Sequence, residues 1–142
     1  MLVGADEQIA ERWGMPAPAR QPEADVGTGP RVLVVDDDRA IRDLVGTLLE
    51  DEGYAVRCVG DGAAALRASE GEAFDLVVAD VRLPGLDGAE LARRLVARGV
   101  PVVLMSAAYA AVEVPGAAFV AKPFDLDRLL REVRRAVRPR PG

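Results

Sequence analysis

The chain has no histidine among its 142 residues. That absence removes zinc centres of the usual kind, histidine-based triads and phosphohistidine intermediates, all of which need an imidazole or several thiols. Cysteine is nearly absent as well: Cys58 stands alone, so a disulfide framework is excluded and a reducing compartment is expected. Lying inside the apolar stretch Tyr54 to Val59, Cys58 reads as a buried structural thiol. No apolar run approaches the ~20 residues of a membrane span. The N-terminus is acidic at Asp6, Glu7 and Glu11, where a signal peptide is basic. A cytoplasmic protein without membrane insertion is therefore expected. An excess of basic residues is also missing, since the net charge is -5 and the pI about 4.8. Nucleic-acid backbones reward Lys and Arg, so direct nucleic-acid contact is not expected. What remains for chemistry is carboxylates, hydroxyls and a single lysine, Lys122.

Half of the residues are apolar, enough for one domain with its own core. Residues 1–30 scatter four glycines and four prolines with no sustained period and read as a flexible N-terminal extension. Within it, Asp6 as cap, Ile9 and Trp13 on one face and Gly14 as stop outline a short helix that is marginal alone. It is open to a docking role or to none.

From Arg31 onward, short apolar runs alternate with amphipathic segments, the pattern of a wound α/β sheet. Strands are expected at 31–35, 54–59, 75–79, 101–105 and 117–121. Runs as continuous as Pro101-Val102-Val103-Leu104-Met105 imply burial on both faces, hence a parallel sheet between helices. The clearest helix starts at an Asp38 cap, carries Ile41, Leu44, Val45, Leu48 and Leu49 as its apolar face, and stops at Gly53. Leu126, Leu129, Leu130, Val133 and Val137 mark the last helix, ended by Pro139. Ala-rich helices are expected at 62–70 and 88–98. Five parallel strands joined by right-handed crossovers give the doubly wound, flavodoxin-like order 2-1-3-4-5. The expected organisation is an extension over 1–30, a domain over 31–138 and a tail over 139–142.

In that order, the carboxyl ends of strands 1 and 3 are neighbours, which brings Asp36 and Asp37 beside Asp80. Several carboxylates at one point repel, and such a cluster calls for a bound cation or raised pKa values. Ser106 follows strand 4 and the pair Lys122-Pro123 follows strand 5, at the same edge. A carboxylate that attacks a phosphoryl group needs a cation, a donor for the transferred oxygens and a lysine to balance charge. Asp80, Asp36, Asp37, Ser106 and Lys122 supply that set. Asp38 is read as helix cap rather than ligand.

Four segments carry a resemblance: Val34 to Asp38, Asp75 to Gly88, Met105-Ser106-Ala107, and Phe119 to Phe124. Taken in order, each at a strand end, they resemble the receiver domains of two-component response regulators over about Arg31 to Val137. The resemblance implies that Asp80 is the phosphoacceptor for a histidine kinase or phosphotransfer protein. It implies Mg²⁺ bound by Asp37, Asp80 and the backbone carbonyl of Arg82, with Asp36 acting through a coordinated water. It further makes Ser106 and Phe119 the switch pair, Lys122 the partner of the phosphoryl oxygens, and Pro123 the site of a cis peptide. Arg82 and Ala108 occupy positions that in this family tune access of water to the phosphoryl group. Pro84, Gly85 and Gly88 need only a turn role, glycine permitting positive φ.

One departure stands out. Sixteen positions separate Ser106 from Lys122, and the segment from Ala107 to Gly116 contains Pro115 and little helical stripe. The fourth helix of the family is expected to be shortened here, which puts its usual signalling face in doubt. Arg128, Arg131, Arg135 and Arg138 line the outer side of the last helix, a solvated face or a docking stripe for an acidic partner. With the chain ending soon after that helix, the expectation is a single-domain phosphorelay module acting on an unknown downstream protein. It is not expected to be an enzyme beyond slow self-catalysed phosphorylation and dephosphorylation. The alternatives are a receiver-like binding module that is never phosphorylated, and a haloacid-dehalogenase-like phosphohydrolase using Asp36-Asp37-Asp38.

Overall fold

The computed structural model describes residues 29–106, 114–122 and 125–137. The strands are β1 (Arg31–Val35), β2 (Ala55–Val59), β3 (Leu76–Asp80), β4 (Val102–Ser106) and β5 (Ala117–Ala121). They form one parallel sheet in the order β2-β1-β3-β4-β5. The expected order is met, and each strand lies within a residue or so of its expected bounds. The helices are α1 (Arg39–Asp51), α2 (Gly62–Gly71), α3 (Gly88–Ala97) and α4 (Leu126–Ala136).

Strand position explains the sequence pattern. The central strands β3 and β4 are buried at every residue, because helices cover both faces, and so they show no alternation. The edge strands β2 and β5 are only partly covered. One core layer joins Leu33, Val77 and Leu104 to Ala65 of α2 and Leu91 and Leu95 of α3. The other joins Val34, Val78 and Met105 to Val45 and Leu49 of α1 and Leu129 and Val133 of α4. Each such fully buried aliphatic side chain contributes roughly 1.5–3 kcal/mol relative to exposure.

Each of the four described helices starts on an aspartate. Asp38 accepts from the Ala40 and Ile41 amides, Asp61 from Ala64, Asp87 from Glu90 and Asp125 from Asp127. Each cap answers amides that have no partner within the helix. The stop of α1 is also chemical: Gly53 has φ 99°, its N–H donates to the Glu50 carbonyl, and the Tyr54 N–H reaches back to Leu49. This is the left-handed glycine cap that frees the chain to enter β2.

Three expectations are corrected. Leu44 is 47% exposed, because it sits at the margin of the α1 stripe, which buries Val45 and Leu49 and partly covers Ile41 and Leu48. Cys58 is exposed rather than buried, because β2 is an edge strand. Its sulfur nonetheless faces α1, where partial burial and the Glu50 and Asp43 carboxylates, opposed by Arg42, push its pKa up to about 11. Gly88 does not serve through positive φ. Only Gly85 of that loop has it, at 74°, whereas a Cβ on Gly88 would lie 2.0 Å from the Asp80 carbonyl oxygen. The segment 107–113, with Ala108, where the shortened helix is expected, lies outside the described residues. So do the extension up to residue 28, Pro123, Arg138 and Pro139.

Candidate functional site

Three strand ends deliver the site. Asp36 follows β1, and Asp80 and Ser106 are the last residues of β3 and β4. These three are the buried polar or charged residues of the described chain, at 0%, 8% and 2% exposure. A wound parallel sheet turns all its strand-to-helix loops toward one edge, so residues distant in sequence converge there. Lys122, the residue after β5, completes the group.

The carboxylates are close together. One oxygen from each of Asp36, Asp37 and Asp80 lies within 4.8 Å of the other two, with Asp37 exposed and its companions buried. The Lys122 ammonium reaches between them, 3.1 Å from Asp80 Oδ2 and 3.3 Å from Asp36 Oδ2. Asp36 also accepts the Asp38 amide at 2.9 Å, and Asp80 the Arg82 amide at 3.2 Å. Burial pushes the Asp36 carboxyl above its ordinary pKa and the nearby Asp80 charge adds to this, while the Asp38 amide and Lys122 oppose it. For Lys122, burial alone would lower the ammonium, but the Asp80 and Asp36 carboxylates outweigh it and raise its pKa.

Three carboxylates facing one ammonium leave a formal charge of about minus two, which a hard divalent cation balances. The donor set suits Mg²⁺: all oxygen, few protein ligands, and one ligand open to water. A cleft of about 480 Å³ opens beside it, lined by Asp37, Arg82, Leu83, Pro84 and Asp87 among others.

The backbone around Asp80 is held by main-chain hydrogen bonds. The Val81 amide donates to the Met105 carbonyl at 2.9 Å, and the Gly88 amide to Val81 at 2.8 Å. Across the sheet the Lys122 amide donates to the Ser106 carbonyl at 2.6 Å. The glycine at 62 matters as well, since a Cβ there would lie 2.4 Å from the Leu86 carbonyl oxygen. The N-terminus of α2 thus packs directly on the loop that follows β3.

Asp36, Asp37, Asp80 and Lys122 are therefore brought together as the sequence implies, and Ser106 ends the neighbouring strand. Phe119 shares the Ser106 face, since Leu104 pairs with Phe119 and Ser106 with Ala121. It is only partly buried against the α2/α3 layer. Asp38 caps α1, so its carboxylate does not join the acidic group. A phosphohydrolase reading of Asp36-Asp37-Asp38 needs it there. The sequence reading missed Arg42, whose guanidinium donates to the Asp36 carbonyl. An arginine four residues after a helix cap carries no motif to mark it.

Comparison with known proteins agrees with this geometry. The model of the response regulator receiver domain family matches residues 32–134. The transcriptional regulatory protein FixJ of Bradyrhizobium diazoefficiens is 38% identical over 115 residues, covering 75% of this chain and 56% of FixJ. The chain spans about half the length of the curated relatives it matches. Among solved structures, the receiver domain of the sensor histidine kinase PA1611 from Pseudomonas aeruginosa aligns with TM-score 0.69 at 29% identity, over 77% of this chain and 98% of that one. That structure holds a magnesium ion coordinated in its active site cleft. The response regulator TrrA of Thermotoga maritima, in complex with Mg²⁺ and BeF, aligns with TM-score 0.69 at 30% identity, over 75% of this chain and 97% of that one. With the fold, the strand-end residues and the family match in agreement, the chain belongs to the response regulator receiver domain family.

Proposed function

We propose that the protein accepts a phosphoryl group on Asp80 from the phosphohistidine of a partner kinase or phosphotransfer protein. The observation that carries this reading is the Asp36, Asp37 and Asp80 group, with oxygens within 4.8 Å and the Lys122 ammonium 3.1 Å from the acceptor. None of the 142 residues is a histidine, and in this reading the donor imidazole is the partner's. In the transfer, an Asp80 carboxylate oxygen bonds to phosphorus as the N–P bond to the imidazole breaks, and the imidazole leaves with the bonding pair. Attack of water on the aspartyl phosphate later releases inorganic phosphate.

Asp37 and Asp80 would hold Mg²⁺ directly, with the Arg82 carbonyl, and Asp36 through a water. When bound, the ion supplies charge neutralisation between the acceptor and the incoming phosphoryl oxygens. Lys122 moves with the charge: paired with Asp80 beforehand, it pairs with the phosphoryl oxygens afterwards. The Ser106 hydroxyl is the donor for a further phosphoryl oxygen, and Phe119, on the same face, is the residue that repacks when Ser106 moves. Output passes to a downstream protein, in the cytoplasm.

The test is incubation with Mg²⁺ and acetyl phosphate, read by intact mass beside an Asp80→Asn control. A single phosphate adduct that requires both Mg²⁺ and Asp80 is expected. No adduct with any donor would overturn phosphoacceptance and leave a receiver-like binding module.

A further inference from the structure

The three carboxylates of the acidic group are not held alike. Asp36 is fixed by the Asp38 amide and Lys122, and Asp80 by the Arg82 amide and Lys122. Asp37 is exposed, and among the described residues its carboxylate has no hydrogen-bond partner. Its direction therefore depends on the main chain that carries it, above all on the Asp36–Asp37 peptide plane. The carbonyl of that peptide accepts from Arg42 Nη1 at 3.0 Å. The same nitrogen lies over Gly60 in the loop after β2, 3.0 Å from where a Cβ would stand. On its other side, the Asp36 amide donates to the Val59 carbonyl at 3.2 Å. Both peptide groups of Asp36 are thus referred to the end of β2, one directly and one through Arg42.

We propose that Arg42 is a positioning residue for the divalent cation: seated on Gly60, its guanidinium locks the Asp36–Asp37 peptide and so aims the Asp37 carboxylate at the shared ligand position. This rests on the metal site of the proposed function. It makes a prediction of sign. On charge alone, a guanidinium near the site repels a cation, and removing it tightens binding. On positioning, removing it weakens binding, as loss of outer partners of metal ligands does by roughly 10–100-fold. The two effects oppose, so the direction of the change decides between them.

The experiment is calorimetric titration of the metal-stripped full chain with Mg²⁺, for the natural protein and for Arg42→Met, Arg42→Lys, Gly60→Ala and the double variant Arg42→Met/Gly60→Ala. Thermal melting alongside reports folding. Arg42→Met should raise Kd by about tenfold, and Arg42→Lys, which keeps a donor, should recover part of that loss. Gly60→Ala needs no unusual φ and moves only the guanidinium, so it should raise Kd less. The double variant should bind no more weakly than Arg42→Met, since both changes act on one contact. An unchanged or lower Kd for folded Arg42→Met overturns the inference while leaving the metal site intact. If Arg42→Met does not fold, an unchanged Kd for Gly60→Ala overturns it instead. No binding of Mg²⁺ to the natural protein overturns the metal site itself, and this inference with it.

Discussion

At the amino end of the sheet, Arg31 and Arg57 both bind the Glu72 carboxylate, and Asp75 takes the Arg31 amide at 2.8 Å. At the carboxyl end, Asp36, Asp37 and Asp80 face the single ammonium of Lys122. The first cluster is balanced, two guanidinium groups against two carboxylates, and its ion-paired side chains are 24–51% exposed. The second is unbalanced and its paired side chains are at most 16% exposed. Water screens the first and contributes little to the second. Both ends are rich in charge, but only the unbalanced end, whose ion-paired groups are buried, retains an unmet demand for a cation. A functional centre is distinguished here by charge left over, not by charge present.

The contrast can be broken most forcefully at Lys122. Lys122→Met leaves Asp36 and Asp80 without their cation and should destabilise the metal-free protein by about 3–5 kcal/mol, with much of the loss recovered by Mg²⁺; denaturant melts with and without the ion would show it. Saturating Mg²⁺ alone should stabilise the natural protein by about 2.7 kcal/mol at a hundredfold excess over Kd, a rise in Tm that Asp37→Asn should abolish. Glu72→Gln is the matching change at the amino end and should cost less than about 1 kcal/mol, because its partners are solvated. A loss as large as that of Lys122→Met would erase the distinction between the two ends.

The smallest effect is in pH. The folded Asp36 carboxyl titrates above its ordinary value of 3.8, so its ionised form is less favourable folded than unfolded. That penalty is complete above the raised pKa, and it is relieved as pH falls through that value toward 3.8. In EDTA, Asp36→Asn should therefore melt higher than the natural protein at neutral pH, with the gap closing on acidification. A gap that does not change with pH would remove the desolvation argument.

Much of this was legible in sequence because a parallel sheet writes its topology plainly. Val32 to Val35, Leu76 to Ala79 and Val102 to Met105 are unbroken apolar runs, and each is followed at once by a polar residue that can only face the open edge. Asp38 was readable as a cap from its place before an amphipathic helix, and it does cap α1. Cys58 was misread because nothing within Tyr54 to Val59 says which strand becomes the edge; that is fixed by pairing with β1 on one side only. Leu44 fits the helical period but falls at the rim of the stripe, where a few tens of degrees decide burial. Arg42 was invisible because its role is to bind a backbone carbonyl, which any long cationic side chain on that helix face could do. The glycines at 62 and 88 looked like turn residues, yet their use is the space they leave for the Leu86 and Asp80 carbonyl oxygens. Close approach has no signature in one dimension.

The Lys122 ammonium and the Asp36 carboxylate that it meets are 86 residues apart in the chain. As the polypeptide leaves the ribosome, β1, β3 and their carboxylates emerge well before the only lysine that compensates them. A chain that stops before β5 therefore carries these acids without the one lysine that pairs with them in the finished fold. Lys122, made last of the group, is the residue whose arrival first sets a positive charge among those acids.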